Sequence, residues 1–397
     1  MNKIISRIIF AFALLLAASS CYKQDDVYKE FVVSGGYIYP AKPVNLTYVP
    51  GYKRVVLKWD RPYDPAVKTA KVFWENYTDS MSVDYAQFPD GKAYVSIENL
   101  QERSYTFDVV DYDSQKHASL ATEITASPYG DFWLSALSER RLKQARLVGD
   151  SATVVVSSAT DQMVNTQFRY KDATSGEMVD VEEPIYPGTD TLYFPHALKG
   201  SKFEYRSCFC PPNGADTVWS AWVTTPVAIE YKLPVEAWTV EATKNQINGT
   251  NTPDKIFDGI TDKSSSRYHS STNSSYRRNF PKVLAIDTHV ADGDAVCISS
   301  FEIYEHNTTQ NSRYIKSYRL YSGTEAFDPD DENYSVNYGE YIAIGELDRL
   351  SAMQTGSSVL EKFGRYFALV FLDSYHTYGY IDLWEFVPYG YLQSEAQ

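Results

Sequence analysis

Residues 253–270, PDKIFDGITDKSSSRYHS, place Asp258 and Asp262 close to Thr261, Ser264, Ser265 and Ser266. An apolar pair, Ile256-Phe257, leads into Asp258-Gly259. Asp-Gly marks a turn, because Gly accepts positive φ and Asp can hydrogen-bond its own backbone. Clustered carboxylate and hydroxyl oxygens on a folded-back loop suit a hard cation such as Ca²⁺. The same residues also read as a solvated turn between strands, stabilised by local turn chemistry alone. A second group is Tyr375-His376-Thr377-Tyr378, in a predicted loop before the last strand. Aromatic faces there could form a platform for the C–H face of a sugar, with imidazole or guanidinium groups reading hydroxyls. Each of these residues, and the pair Arg277-Arg278, also reads as an ordinary exposed loop residue.

Catalytic constellations are not apparent. The chain has no Gly-rich phosphate loop, no nucleophile elbow and no His-Glu-x-x-His, and its six His are scattered. Carboxylates are plentiful, so counting alone leaves a glycosidase pair open. The expectation is a binding protein and not an enzyme.

The elements that must position these residues are bounded by composition. A chain of 397 residues with 44% hydrophobic content suffices for more than one core. Aromatics make up 15% of the chain, mostly through 33 Tyr, a residue suited to strands and half-wet surfaces. A net charge of −14 argues against nucleic acid or an anionic membrane surface as partner.

Short apolar runs recur along the chain. Val55–Trp59, Val72–Trp74, Tyr94–Ile97 and Tyr105–Val109 read as strands, with Leu100 five residues before Tyr105. A second copy runs through 152–156, 168–170 and 192–194, and Leu198 precedes Phe203 by the same spacing. Between the copies, residues 131–147 hold Phe132, Trp133, Leu137, Leu142 and Ala145 at rough helical spacing without Pro or Gly. This predicts a helical connector over 129–147, with Arg140, Arg141, Lys143 and Arg146 as a solvated face. Pro226 and Pro234 bracket an extended link into a last domain. Cys208 and Cys210 share one face of a predicted strand, and with Cys297 they read as buried thiols.

The N-terminus reads as a targeting segment. Lys3 and Arg7 precede the apolar run 8–18, too short to span a bilayer, and Ala18-Ser19-Ser20 leads to Cys21. This resembles a bacterial lipoprotein signal, in which the Cys becomes lipidated; Ala18 stands where that family usually has Leu. An ordinary secretory peptide is the other reading. Asp25-Asp26 resembles the surface-export signal of Bacteroidetes lipoproteins. The resemblance implies an outer-membrane lipid anchor at Cys21, with the chain facing the cell exterior.

The Leu…Tyr spacing resembles the fibronectin type III pattern, whose Tyr makes a "tyrosine corner". Phe203 lacks the hydroxyl for that bond in the second copy. The two copies together resemble the DUF4998 region of Bacteroidetes lipoproteins. The last third carries, in order, Trp238, the Asp258-Gly259 loop, Ile286-Asp287, Ile315-Lys316-Ser317-Tyr318 with Ser322-Gly323, Arg365-Tyr366, and Ile381 to Phe386. Over 235–390 this resembles the F5/8 type C (discoidin-like) domain, also called family 32 carbohydrate-binding module. Tyr268 stands where that family usually has Trp.

The resemblance implies a structural Ca²⁺ held by Asp258, Ser266 and Glu385, with Asp262 replacing an acidic ligand whose usual place Ile260 occupies. It also implies a sugar site with His306 at the end of a core strand, Asn307 beside it, Arg313 in the same loop, and an aromatic from Tyr375 or Tyr378.

The expected protein is all-β. It has a signal peptide at 1–21, a tether at 22–42, and fibronectin III-like sandwiches at 43–128 and 148–228. A discoidin-like jelly roll occupies 235–390. Its expected role is glycan binding beside neighbouring glycan-import proteins. Adhesion or protein interaction without a sugar site is the alternative.

Overall fold

A computed structural model describes residues 39–184, 188, 190–263, 265–305 and 314–396. The regular structure of the described chain is almost all antiparallel sheet, as expected. It divides into two compact units: residues up to Ala136 together with Pro211–Asp216, and Leu137–Cys210 together with the chain from Thr217.

The first unit is one sandwich. Val44–Gly51, Arg54–Asp60 and Lys92–Ile97 form one sheet. Asp79–Asp84, Val67–Trp74, Tyr105–Asp113 and Thr122–Ala126 form the other, in that order. Strand alternation builds the core: Val55, Leu57 and Trp59 are buried, while Lys58 between them is exposed. This three-on-four arrangement is fibronectin III-like. The corner is present, because the Gln101 N–H donates to the Tyr105 hydroxyl at 2.9 Å.

The second unit opens with a sandwich of the same strand order. Thr191–Pro195, Ser151–Val156 and Leu142–Val148 face Met178–Pro184, Met163–Lys171 and Glu204–Phe209. Phe203 occupies the corner position as a fully buried core residue, and its N–H donates to the Thr225 hydroxyl at 3.2 Å.

The helical connector expected over 129–147 is corrected here. Helix spans only Asp131–Ser135. Leu142–Val148 is a strand paired with Ser151–Val156 through a two-residue Gly149-Asp150 turn, with Gly149 at φ 67°. Cross-strand pairing therefore overrides the local helical spacing. The basic cluster is not uniformly solvated either. Arg140 is 2% exposed and pairs with Asp190 at 3.0 Å.

The C-terminal region of the second unit is a jelly roll. Thr239–Ala242, Lys282–Asp287, Tyr366–Ser374, Ile315–Gly323 and Tyr341–Glu346 form one sheet in that order. Asp382–Leu392 and Val296–Glu305 centre the other, flanked by Tyr231–Lys232 and Met353–Ser357. Ile256, Leu284, Phe301, Leu320, Leu369 and Phe386 are all buried in the shared core. Tyr268, in the family's Trp position, is fully buried and donates its hydroxyl to the Gln246 carbonyl at 2.9 Å.

Arg146 joins this domain to the preceding sandwich. It donates to Glu230 at 2.8 Å, Ser300 at 2.9 Å and Glu302 at 3.3 Å. Its guanidinium lies 3.5 Å from the Tyr389 ring centroid. Cys208, Cys210 and Cys297 form no disulfide, and Cys208 and Cys297 are buried. No helix among the described residues is long and apolar enough to cross a membrane.

Candidate functional site

The Asp258 loop is set by a short 3₁₀ turn over Pro253–Phe257, which starts on Pro and buries Ile256. Gly259 then takes φ 73°, a left-handed conformation that Gly adopts without a Cβ penalty. Asp258 accepts the Ile260 N–H at 3.0 Å with one oxygen and the Ser266 hydroxyl with the other. The Gly259 N–H donates to both oxygens of Glu385 at 3.2 Å. Two carboxylates and one hydroxyl thus meet at the loop.

Glu385 is 3% exposed, and burial, reinforced by the negative charge of Asp258, pushes its carboxyl up to about 8. A hard cation would relieve that cost by replacing the proton. Asp258, Glu385 and Ser266 supply oxygen donors of the kind Ca²⁺ takes, short of the six to eight oxygens of a full shell. Asp262 is exposed, and none of the hydrogen bonds that tie Asp258, Ser266 and Glu385 together involves it. Among the described residues, no group of three or more His, Cys, Asp or Glu side chains is placed to hold a metal.

The second grouping lies on the loop between Tyr366–Ser374 and Asp382–Leu392. His376 stacks on Tyr380 at 4.5 Å and meets Tyr314 edge-on at 4.5 Å. Tyr378 lies 5.9 Å from Tyr380, and Arg277 sits 4.2 Å over the Tyr378 ring. Arg278 donates to the Thr377 carbonyl at 3.3 Å, fastening the two loops together. Gly379 is required at their crossing: a Cβ there would come within 2.7 Å of the Arg277 carbonyl oxygen.

Tyr378 remains 44% exposed, so its ring is available to a ligand. Burial, and then the charge of Arg277, lowers the His376 pKa and so favours the neutral imidazole. A neutral imidazole can both donate and accept hydrogen bonds.

Behind this face lies a buried polar layer. His269 is 5.5 Å from Tyr380. Asp382 is 2% exposed and pairs with Arg267 at 3.0 Å; burial pushes it up to about 7 against that pair.

The sequence-based residues divide. Tyr378 belongs to the cluster. Tyr375 donates its hydroxyl to the Leu347 carbonyl at 3.1 Å, and the ring contacts that build the cluster do not include it. His306, Asn307 and Arg313 lie outside the described residues, as does Cys21. Tyr314, directly after Arg313, does join the cluster. Tyr314 and Tyr380 were missed by sequence reasoning. The alternation of ring residues at His376, Tyr378 and Tyr380 was the available signal.

Residues 21–217 match the model of DUF4998, a domain of unknown function. That match takes in strands of both fibronectin III-like sandwiches, in agreement with the sequence resemblance. No curated protein matches the chain.

Solved structures similar to it include the family 32 carbohydrate-binding module of C. perfringens NanJ, crystallised with galactose. That pair is 17% identical over 41% of this chain and 99% of the module, at a TM-score of 0.32. The family 32 module of Streptococcus pneumoniae EndoD is 13% identical over 39% of this chain and 96% of its own, at 0.28. A SusE-like protein is 11% identical over 87% of this chain and 96% of its own, at 0.33.

Proposed function

We propose that this protein is a cell-surface lipoprotein that binds carbohydrate through its C-terminal discoidin-like domain. The observation that carries the reading is the cluster in which Tyr378, 44% exposed, is capped by Arg277 at 4.2 Å and neighboured by His376 and Tyr380. An exposed ring offers a face to sugar C–H groups, and the adjacent imidazole and guanidinium read hydroxyls. His306, Asn307 and Arg313, carried over from the family motif, complete the proposed site. Arg277, His376 and Tyr380 are added to it.

Asp258, Ser266 and Glu385 would hold a structural Ca²⁺ that pins the loop, with Asp262 as a further donor carried over from the motif. The role is binding, not catalysis. The anchor is lipid on Cys21 in the outer membrane, with the binding domain facing outward beside glycan-import proteins. The sequence of the first 26 residues supports that placement.

The test is binding of the full chain to an oligosaccharide panel, with and without chelator. Retention of a glycan by the native chain and its loss in Tyr378→Ala supports the reading. A chain that is folded and binds no glycan favours the protein-interaction alternative.

A further inference from the structure

The first sandwich carries a cleft of its own, unused by the function proposed above. Its volume is about 310 Å³, and it is lined by Trp74, Glu75, Tyr77, Arg103, Tyr105 and Asp108 among others. That size falls at the lower end of small-molecule pockets. The walls come from neighbouring strands: Val67–Trp74 pairs with Tyr105–Asp113, with Phe73 opposite Asp108.

The rim is an unusual turn. Glu75, Asn76 and Tyr77 follow one another at φ 49°, 52° and 68°, left-handed backbone in three successive non-glycine residues. The Thr78 N–H and hydroxyl hold the turn by donating to the Glu75 carbonyl at 3.1 and 2.7 Å. Tyr77 rests against Phe73 with ring centroids 4.8 Å apart, yet stays 55% exposed. The turn therefore presents an aromatic ring beside the cleft at a backbone cost that local packing sustains.

The opposite wall is equally fixed. Tyr105 is held by the Gln101 N–H at its hydroxyl, and the Arg103 guanidinium lies 4.2 Å over its ring. Arg103 also pairs with Glu75 across the cleft. Of the charged lining residues, Arg103 is opposed by Glu75 and Asp108, leaving one negative charge in excess. Phosphate and other anions are disfavoured by that balance. A neutral ligand with apolar C–H faces and many hydroxyls fits it. Rings stack on the faces, while the guanidinium donates and the carboxylates accept.

We propose that the cleft between Tyr77, Trp74 and the Arg103–Glu75 pair is a second carbohydrate-binding site, in the DUF4998 region and separate from the C-terminal one. The protein then holds a glycan at two points along its chain. Linked sites raise avidity when one glycan spans both.

The test uses the full chain against a panel of galacto-, gluco-, manno- and xylo-oligosaccharides, in native form and with Tyr378→Ala. The Tyr378→Ala chain retains at least one oligosaccharide, and adding Tyr77→Asn or Arg103→Ala weakens that binding at least tenfold. Asn is chosen because it tolerates left-handed φ, and thermal unfolding verifies that each variant is folded. Loss of all binding on Tyr378→Ala alone overturns this proposal while leaving the C-terminal site standing. Binding lost with Tyr77→Asn alone and unchanged with Tyr378→Ala does the reverse. Binding unaffected by both cleft substitutions overturns the cleft, and a folded native chain that binds no member of the panel overturns both sites.

Discussion

Replacing Arg146 by Met tests how the C-terminal domain is held on the sandwich before it. The Arg146 side chain is 17% exposed, and those of its partners Glu230 and Glu302 are 7% and 14% exposed. Met keeps the aliphatic stem against Tyr389 and removes the charge, leaving two carboxylates facing each other. Breaking a buried pair from one side costs about 3–5 kcal/mol. Loss of the close cation–π contact adds up to about 2 kcal/mol where that contact is desolvated. Four hydroxyls remain bonded to the acids: Ser299 and Ser300 to Glu230, and Tyr304 and Tyr389 to Glu302. They soften the loss, so the expected destabilisation of the second unit at pH 7 is about 3 kcal/mol.

Urea unfolding followed by tryptophan fluorescence measures it. A loss below about 1 kcal/mol at pH 7 would place Arg146 with ordinary surface pairs and refute the reasoning.

Two further predictions concern buried acids. Asp111 is fully buried in the first sandwich, accepts the Tyr85 hydroxyl at 2.6 Å, and is pushed by burial up to about 7. A raised folded pKa gives stability that is complete below the unfolded value and lost as pH rises toward about 7. Asp111→Asn abolishes this titration, so the variant gains about 2 kcal/mol on the native chain between pH 5 and 7 in urea unfolding; parallel pH profiles would contradict it. At the Asp258 loop, Ca²⁺ at about 100 times its Kd stabilises the native chain by about 2.7 kcal/mol. Glu385→Gln removes that Ca²⁺-dependent shift in thermal unfolding; an equal shift in the variant would exclude Glu385 as a ligand.

The sandwich repeat was legible because alternation and the Leu100…Tyr105 spacing are local, and the Gln101–Tyr105 bond realises them. Phe203 keeps the position as a buried core residue without the hydroxyl bond, as its side chain dictates. Leu142–Val148 was misread because Leu142 and Ala145 fit a helical stripe, while the deciding feature was pairing across the Gly149 turn. In the Asp258 loop, Asp258, Ser266 and Glu385 were readable from the order of motifs, and Asp262 stays exposed. The Arg277–Tyr378 contact was beyond sequence reasoning. It depends on two loops crossing at Gly379, whose bonded residues Arg278 and Thr377 are 99 positions apart.

The most direct test of the central claim is calorimetric titration of the best-bound oligosaccharide into the native chain, Tyr378→Ala and Arg277→Ala. The account predicts at least a tenfold loss of affinity in each, about 1.4 kcal/mol, with folding intact. Equal affinity in all three would contradict a sugar site at the Tyr378 face.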